Sequence, residues 1–166
     1  MTPPAAHYAA LCLPSWGHCR PELTFAIRLL ILHPHLLVTL FIPDFIPQPI
    51  DPDIDNAPLD DAQRSRLRVI KWSLRSEMPR DPNTADEDDL LWKKFADGMG
   101  DAIVPAYREF LAKKDGDSWQ PPDVILPDAL LGWGFKRYLE SLCQEAGVKV
   151  PEVWDLGPPS LPYIAG

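Results

Sequence analysis

Residues 9–21 read Ala-Ala-Leu-Cys-Leu-Pro-Ser-Trp-Gly-His-Cys-Arg-Pro. A short apolar run stops at a Pro/Gly turn that holds one histidine, His18, and a helical pattern begins directly behind it. This order predicts a first strand, a turn and a helix, with His18 at the carboxyl end of the strand. Open α/β sheets bind their ligands at that end. The stretch therefore predicts both the class of fold and the place of a site.

Strand and helix patterns alternate on the carboxyl side of this stretch. The apolar runs predict five strands, at residues 7–13, 36–42, 66–74, 123–128 and 148–154. The helical patterns run from Pro21 to before Pro34, over residues 87–113, and from behind Asp128 to a C-cap at Gly147. Alternation of this kind predicts an α/β fold with a doubly wound, mainly parallel, Rossmann-like sheet. Right-handed crossovers predict the strand order 3-2-1-4-5.

Two segments break the regular pattern. Residues 43–65 contain five prolines and many acidic side chains, and we expect a long surface loop there because proline cannot donate ladder or helix hydrogen bonds. In the long second helix, Gly98, Gly100 and Pro105 are expected to kink or split the element.

Composition fits one domain spanning residues 1–166. At this length a chain buries roughly two thirds of its unfolded surface, and 46% hydrophobic residues is ordinary for a globular protein. The net charge of -8 argues against nucleic acid or an anionic membrane surface as a partner. We see no signal peptide and no apolar run of the ~20 residues that a membrane helix needs. Three widely spaced cysteines suit a reducing compartment, and we expect a cytoplasmic protein.

His18 and Asp128 are the candidate catalytic residues. Each follows a predicted strand, and in the order 3-2-1-4-5 the two strands are neighbours, so both side chains should face one crevice. A carboxylate beside an imidazole fixes its tautomer and stabilises the imidazolium, which makes a general base that could activate a hydroxyl acceptor. The alternative is a turn histidine and an aspartate that merely caps the following helix.

Other catalytic or metal sites have weaker support. Gly17 stands alone, without the spacing of a phosphate-binding loop, and Ser15 lacks a nucleophile-elbow pattern. His33 and His35 flank a proline at a helix-to-strand turn, where surface or turn roles are more common than metal ligation. We therefore expect no metal site.

Aromatic and thiol side chains surround the predicted crevice. Trp16 and Trp133 could form an apolar wall for an acceptor, and core packing is the alternative. Cys12 fits a buried strand position, and nothing marks Cys19 as a reactive thiolate, so neither receives a role.

Residues 14–23, Pro-Ser-Trp-Gly-His-Cys-Arg-Pro-Glu-Leu, resemble the opening motif of UDP-glycosyltransferases of the GT-B fold, in which a strand leads into Pro-x-x-Gly-His-x-x-Pro-x-Leu. Further similarities occur in order along the chain, at Val38-Thr39, at Asp128 before an aromatic-containing helix, and at Gly147-Val148 followed by an aromatic-ended strand and Gly157-Pro158.

The resemblance implies the acceptor-binding, N-terminal domain of such an enzyme. In that family the histidine deprotonates the acceptor hydroxyl and the aspartate supports it, in a metal-independent, inverting transfer from a nucleotide sugar. By resemblance, His18 is the base and Asp128 its partner. Ser15, Trp16, Gly17 and Trp133 are then the residues expected to shape the acceptor pocket; the donor would be a UDP-sugar and the acceptor a small, largely apolar molecule.

Two departures from the family limit what the resemblance implies. Asp155 stands where family members often have a small hydroxyl residue near the donor sugar, and the second Rossmann-like domain, which holds most donor contacts, is absent from these 166 residues. One hypothesis is an acceptor-binding half that is inactive without a separate donor-binding domain. The alternative is a noncatalytic binding module or a degenerate fragment. In either case the uncovered domain interface predicts self-association.

Overall fold

A five-stranded, all-parallel sheet forms the centre of the protein. The computed structural model describes residues 6–44, 50–73, 88–113 and 120–154, without the side chains of residues 88–96, 129, 130 and 133. The strands are β1 (Ala6–Leu11), β2 (Leu36–Pro43), β3 (Leu67–Trp72), β4 (Val124–Pro127) and β5 (Glu152–Val153). Their order is β3-β2-β1-β4-β5, which confirms the predicted order and fold class.

Helices cover both faces of this sheet. They are α1 (Trp16–Leu32), α2 (Asp51–Asp55), α3 (Asp61–Arg64), α4 (Asp88–Ala112) and α5 (Ala129–Ala146). Helix α5 ends at Gly147, which is left-handed with φ of 62°, as predicted for its C-cap. None of the helices in the described ranges has the length and apolarity that crossing a membrane requires.

Side chains on the two faces of β1 pack into two separate hydrophobic cores. Ala9 and Leu11 pack with α4 and α5, and Ala10 and Cys12 pack with α1 and the short helices. Successive side chains of a strand point to opposite faces, so a central strand of a doubly wound sheet must be apolar on both. This accounts for the continuous apolar run at the start of the chain.

The structure corrects the predicted bounds of two elements, α1 and β5. Helix α1 begins at Trp16 rather than at Pro21, because Ser15 adopts the extended backbone of an N-cap and its carbonyl accepts the first helical hydrogen bonds, from the backbone N–H groups of His18 and Cys19. His18 therefore lies in the first turn of a helix and not in a loop. Strand β5 is two residues long, because Pro151 directly before it cannot donate to a ladder.

The expected loop at residues 43–65 is wrong in part, because it contains α2 and α3. Pro52 lies in the first turn of α2, where its missing N–H costs nothing. Asp60 caps α3 in a reciprocal capping box with Gln63, in which each side chain accepts a hydrogen bond from the other residue's backbone N–H. Residues 45–49 lie outside the described residues.

The expected split of α4 is also wrong. The helix runs unbroken through Gly98, Gly100 and Pro105. Gly100 has a tertiary role, because a Cβ atom built on it would lie 2.9 Å from the Cα of Gly134 in α5 and closer still to the Gly134 carbonyl group. A Cβ on Gly98 would meet no atom within 4 Å. Gly100 therefore permits the close contact between α4 and α5.

His7 of β1 connects β2 with the segment that leads into β4. It is fully buried; its Nδ1–H donates to the Gln120 carbonyl, and the Thr39 hydroxyl lies 2.9 Å from Nε2. Its backbone N–H donates to the Asp123 carboxylate at 2.9 Å. Burial lowers the pKa of His7 below its usual range, with the neighbouring carbonyl and Asp123 opposing that shift. The folded protein therefore favours the neutral imidazole form of His7.

Replacing Gly100 and Gly98 should have opposite effects. We expect G100A to lower the free energy of unfolding by about 2 kcal/mol, since the new methyl group meets backbone that cannot rotate away. G98A is the matched control and should stabilise by up to ~1 kcal/mol through helix propensity. Urea unfolding of both variants measures the difference; equal effects of the two substitutions would contradict the proposed helix contact.

His7 should make the fold less stable in acid. Because its folded pKa is depressed, the unfolded chain binds a proton that the folded chain does not, and stability is lost as the pH falls below about 6.5. Each unit of depression corresponds to ~1.4 kcal/mol. Urea midpoints between pH 7 and pH 5 should fall more steeply in the wild type than in H7Q, whereas H35Q, at an exposed histidine, should keep the wild-type slope. Identical slopes in wild type and H7Q would exclude this effect.

Candidate functional site

The candidate site lies where β1 and β4 end side by side. In the parallel ladder Leu11 is opposite Pro127, and the Asp128 backbone N–H donates to the Leu11 carbonyl at 3.0 Å. The turn after β1 carries His18 into the first turn of α1, facing Asp128. His18 Nδ1 and Asp128 Oδ2 are 2.6 Å apart, although the residues are 110 positions apart in sequence. The predicted pairing is therefore present in the structure.

Asp128 occupies the N-cap position of α5 without using its side chain as a cap. Its backbone carbonyl accepts a hydrogen bond from Gly132 N–H, but its carboxylate makes no capping hydrogen bond. Asp128 therefore occupies the N-cap position, as the alternative predicted, but its side chain does not cap the helix. The carboxylate is directed to the histidine instead.

The pair has the geometry of an oriented base. Asp128 is the acceptor, so Nδ1 carries the hydrogen and Nε2 keeps the lone pair that can take a proton. The His18 side chain is 50% exposed, whereas that of Asp128 is 13% exposed. A ligand can therefore approach the imidazole from solvent while the supporting carboxylate stays largely covered.

Glu22 is a further carboxyl of this site that sequence reasoning missed. It follows His18 by one helical turn, and its Oε2 is buried without a hydrogen-bond partner among the described residues. Burial raises the pKa of Glu22, the negative charge of Asp128 raises it further, and His18 opposes both effects. The spacing of four residues from His18 was the available signal, because i and i+4 share a helix face.

Cys12 and Cys19 form a buried thiol pair below the turn. Both are free and fully buried, and the Cys19 thiol donates to the Leu13 carbonyl at 3.1 Å. A hydrogen bond between the two sulfurs raises the pKa of Cys12 and lowers that of Cys19. The predicted buried position of Cys12 is confirmed, whereas the lowered pKa of Cys19 was not predicted from the sequence.

The predicted acceptor residues differ in their exposure to solvent. Ser15 and Gly17 are exposed beside His18, and Trp16 is partly buried, packed against the α1 core, with the Arg20 guanidinium over its ring. Trp133 lies in α5, but its side chain is outside the described ones. Trp16 therefore has the packing role that was the alternative to an acceptor wall.

Several other candidates lie away from this site or outside the described chain. His33 and His35 are exposed at the far end of α1, where they line an apolar hollow of ≈ 570 Å³ with Tyr8 and Trp154. This hollow opens at the amino ends of β1 and β2, opposite to His18. No cluster of three metal-ligating side chains occurs in the described ranges. Asp155 is outside them.

Comparison with solved structures assigns the fold to a class. The chain has the fold of part of a plant UDP-glycosyltransferase. It matches UGT71G1 of Medicago truncatula complexed with UDP-glucose at a TM-score of 0.54 and 14% identity, over 90% of this chain and 28% of that one. It matches UGT89C1 of Arabidopsis thaliana complexed with UDP-L-rhamnose at 0.53 and 14% identity, over 87% of this chain and 34% of that one.

A third match, TcCGT1 in complex with UDP, has a TM-score of 0.54 and 18% identity, covering 92% of this chain and 28% of that one. The chain thus spans about a third of the length of these enzymes. No family model matches the sequence, and no curated protein matches it significantly. The shared feature is accordingly the fold of one Rossmann-like half of the GT-B architecture.

Proposed function

We propose that this chain is the acceptor-binding half of a UDP-sugar-dependent glycosyltransferase that transfers a hexose to a hydroxyl of a small, largely apolar acceptor. The observation that carries the proposal is the His18–Asp128 pair, 2.6 Å apart at the carboxyl ends of two adjacent central strands. A doubly wound sheet binds its ligands at such a point. The fold shared with UDP-glycosyltransferases supports the same reaction class.

In the proposed reaction His18 acts as general base. Its Nε2 takes the proton of the acceptor hydroxyl while the hydroxyl oxygen attacks the anomeric carbon of the sugar. The bond from that carbon to the UDP oxygen breaks, UDP leaves with the bonding electrons, and the configuration inverts. Asp128 stabilises the imidazolium that forms, and proton transfer of this kind contributes ~10²- to 10⁴-fold in rate.

We infer that Ser15, Trp16, Gly17 and Trp133 border the acceptor. Trp16 is supported by its partly buried position at the start of α1, two residues before His18, and Gly17 is small and exposed beside the histidine. These residues belong to the elements that also position the base, so acceptor contacts there would orient a hydroxyl toward Nε2.

Donor binding needs a second domain in this proposal. The chain spans 28% to 34% of the lengths of UGT71G1 and UGT89C1, and a half that lacks donor contacts cannot bring UDP-sugar to the acceptor. We therefore propose that transfer requires a donor-binding half in addition to these 166 residues. The three free thiols suit the cytoplasm as the proposed location.

Substitution of His18 tests the reaction. With a separately expressed donor half, phenolic acceptors and UDP-glucose, we expect H18A to lower kcat at least ~10²-fold with little change in acceptor KM, and D128N to lower it less. UDP release measures turnover. H35A removes an imidazole at the opposite end of the sheet and should retain full activity.

Turnover that H18A leaves unchanged would contradict the proposed base. A second outcome would distinguish the alternative, noncatalytic function from the proposed transferase. Acceptors that bind the wild-type chain tightly in calorimetry, with no transfer under any pairing, would instead indicate a noncatalytic binding module.

Self-association is a second expected property. Five large hydrophobic side chains of the described residues are exposed, on α1 or beside β5: Phe25, Ile31, Leu32, Val150 and Trp154. A second copy of the chain covering this apolar surface would bury it. Sedimentation should show concentration-dependent dimers that L32D and W154D disrupt; a monodisperse monomer at all concentrations would contradict this expectation.

A further inference from the structure

The apolar hollow beside α1 has no part in the proposed transfer reaction. It opens at the amino ends of β1 and β2, whereas His18 lies beyond the carboxyl end of β1. Its volume of ≈ 570 Å³ is within the range of cavities that hold small molecules in proteins. Such cavities are mainly apolar, with a few polar groups that orient the ligand.

The winding of the sheet accounts for this hollow. Helix α1 connects β1 to β2 on one face, and α5 connects β4 to β5 on the other. Leu126 of β4 belongs to the α1 face, which α5 does not cover. Right-handed connections on both sides of β1 require this arrangement. The hollow therefore has a base of paired strands and α1 along one side.

Aromatic rings form its walls. Phe25 lies on α1, Tyr8 lies on β1, and Trp154 directly follows β5. The rings of Tyr8 and Trp154 meet edge to face, with their centroids 5.8 Å apart. Trp154 is held at two atoms: its backbone N–H donates to the Ile125 carbonyl at 2.9 Å, and its indole N–H donates to the Glu152 carboxylate at 3.1 Å. Walls of this kind suit a flat ring system, because aromatic rings stack or meet edge to face.

His33 supplies a polar group at the rim of the hollow. Its backbone N–H donates to the Leu29 carbonyl at 2.9 Å, and its carbonyl accepts from the Arg66 guanidinium at 2.8 Å. The backbone of His33 is therefore fixed, while its imidazole is exposed and makes no hydrogen bond within the described ranges.

The charges at this rim favour an anion. Arg66 also donates to the carbonyls of Leu30 and Leu36, so its positive charge lies at the end of α1 and offsets the partial negative charge of the helix terminus. The described residues that line the hollow include no carboxylate. An anionic group at the rim would therefore find a free imidazole donor and a nearby guanidinium.

We propose that this hollow is a second binding site, distinct from the His18 site, for a flat, largely aromatic molecule that carries one anionic group. The rings of the ligand lie among Phe25, Tyr8 and Trp154, and its anionic group accepts a hydrogen bond from the His33 imidazole. Burial of apolar ligand surface supplies most of the affinity, and the charge-assisted hydrogen bond supplies the specificity. This inference does not depend on the proposed transferase activity.

Two fluorescent probes test the anionic group. 1-Anilinonaphthalene-8-sulfonate is a flat aromatic anion, and N-phenyl-1-naphthylamine has the same rings without the sulfonate. At chain concentrations where sedimentation shows the monomer, we expect both probes to bind saturably. H33Q should weaken binding of the sulfonate probe about tenfold and leave the neutral probe unchanged. An H33Q variant that binds the sulfonate probe like the wild type, or that weakens both probes equally, would overturn the assignment.

A matched pair of substitutions tests the location. Phe25 and Ile31 both lie on α1 and are 44% and 45% exposed, but of the two it is Phe25 that lines the hollow. F25D should weaken both probes about tenfold, since it places a charge in the apolar wall, whereas I31D should change neither. H18Q should also leave both affinities unchanged. Unfolding midpoints of the variants confirm that each is folded.

Three results would overturn the proposed site. Equal probe affinities in F25D and I31D would place the probes elsewhere on the chain. Binding that H18Q abolishes would place them at the His18 site. Absence of probe binding to the wild-type chain, together with self-association that F25D abolishes, would assign the hollow to a second copy of the chain.

Discussion

Strands β1 and β4 pair in parallel with Leu11 opposite Pro127, so the two segments that follow them leave the sheet side by side. A backbone hydrogen bond from Asp128 to Leu11 continues the ladder one residue past β4. This pairing places a carboxylate at a fixed position beside the first turn of α1. The sheet therefore fixes the position of Asp128, and the first turn of α1 brings His18 to it.

Two consecutive residues in the first turn of α1 lie in different environments. His18 is half exposed and meets Asp128, while Cys19 is fully buried and hydrogen bonds to the Leu13 carbonyl. Neighbouring helical side chains are about 100° apart, so the anchoring of Cys19 also fixes the direction of His18. Glu22 follows His18 by four residues on the same helix. Burial raises its pKa, and the negative charge of Asp128 raises it further.

The order of strands and the His18–Asp128 pair could be predicted, because both follow from alternation and from positions at strand ends. The start of α1 could not, since Pro21 and Ser15 are both acceptable at a helix N-terminus and the backbone of Ser15 decides between them. Gly100 was misread because propensity treats glycine as a helix breaker, whereas its role lies in contact with Gly134. Glu22 was missed because the burial of its Oε2 depends on the tertiary structure around α1.

The central position of β1 also has a consequence for synthesis of the chain. One edge of β1 pairs with β2, which follows within about 25 residues of its end, but the other edge waits for β4, more than 100 residues later. A nascent chain emerging from the ribosome therefore carries an open, apolar strand edge until residue 127 is available. Such contacts of high sequence separation slow folding and leave partly folded chains prone to aggregation. The strand that organises the site is thus also the point at which production of the protein is most vulnerable.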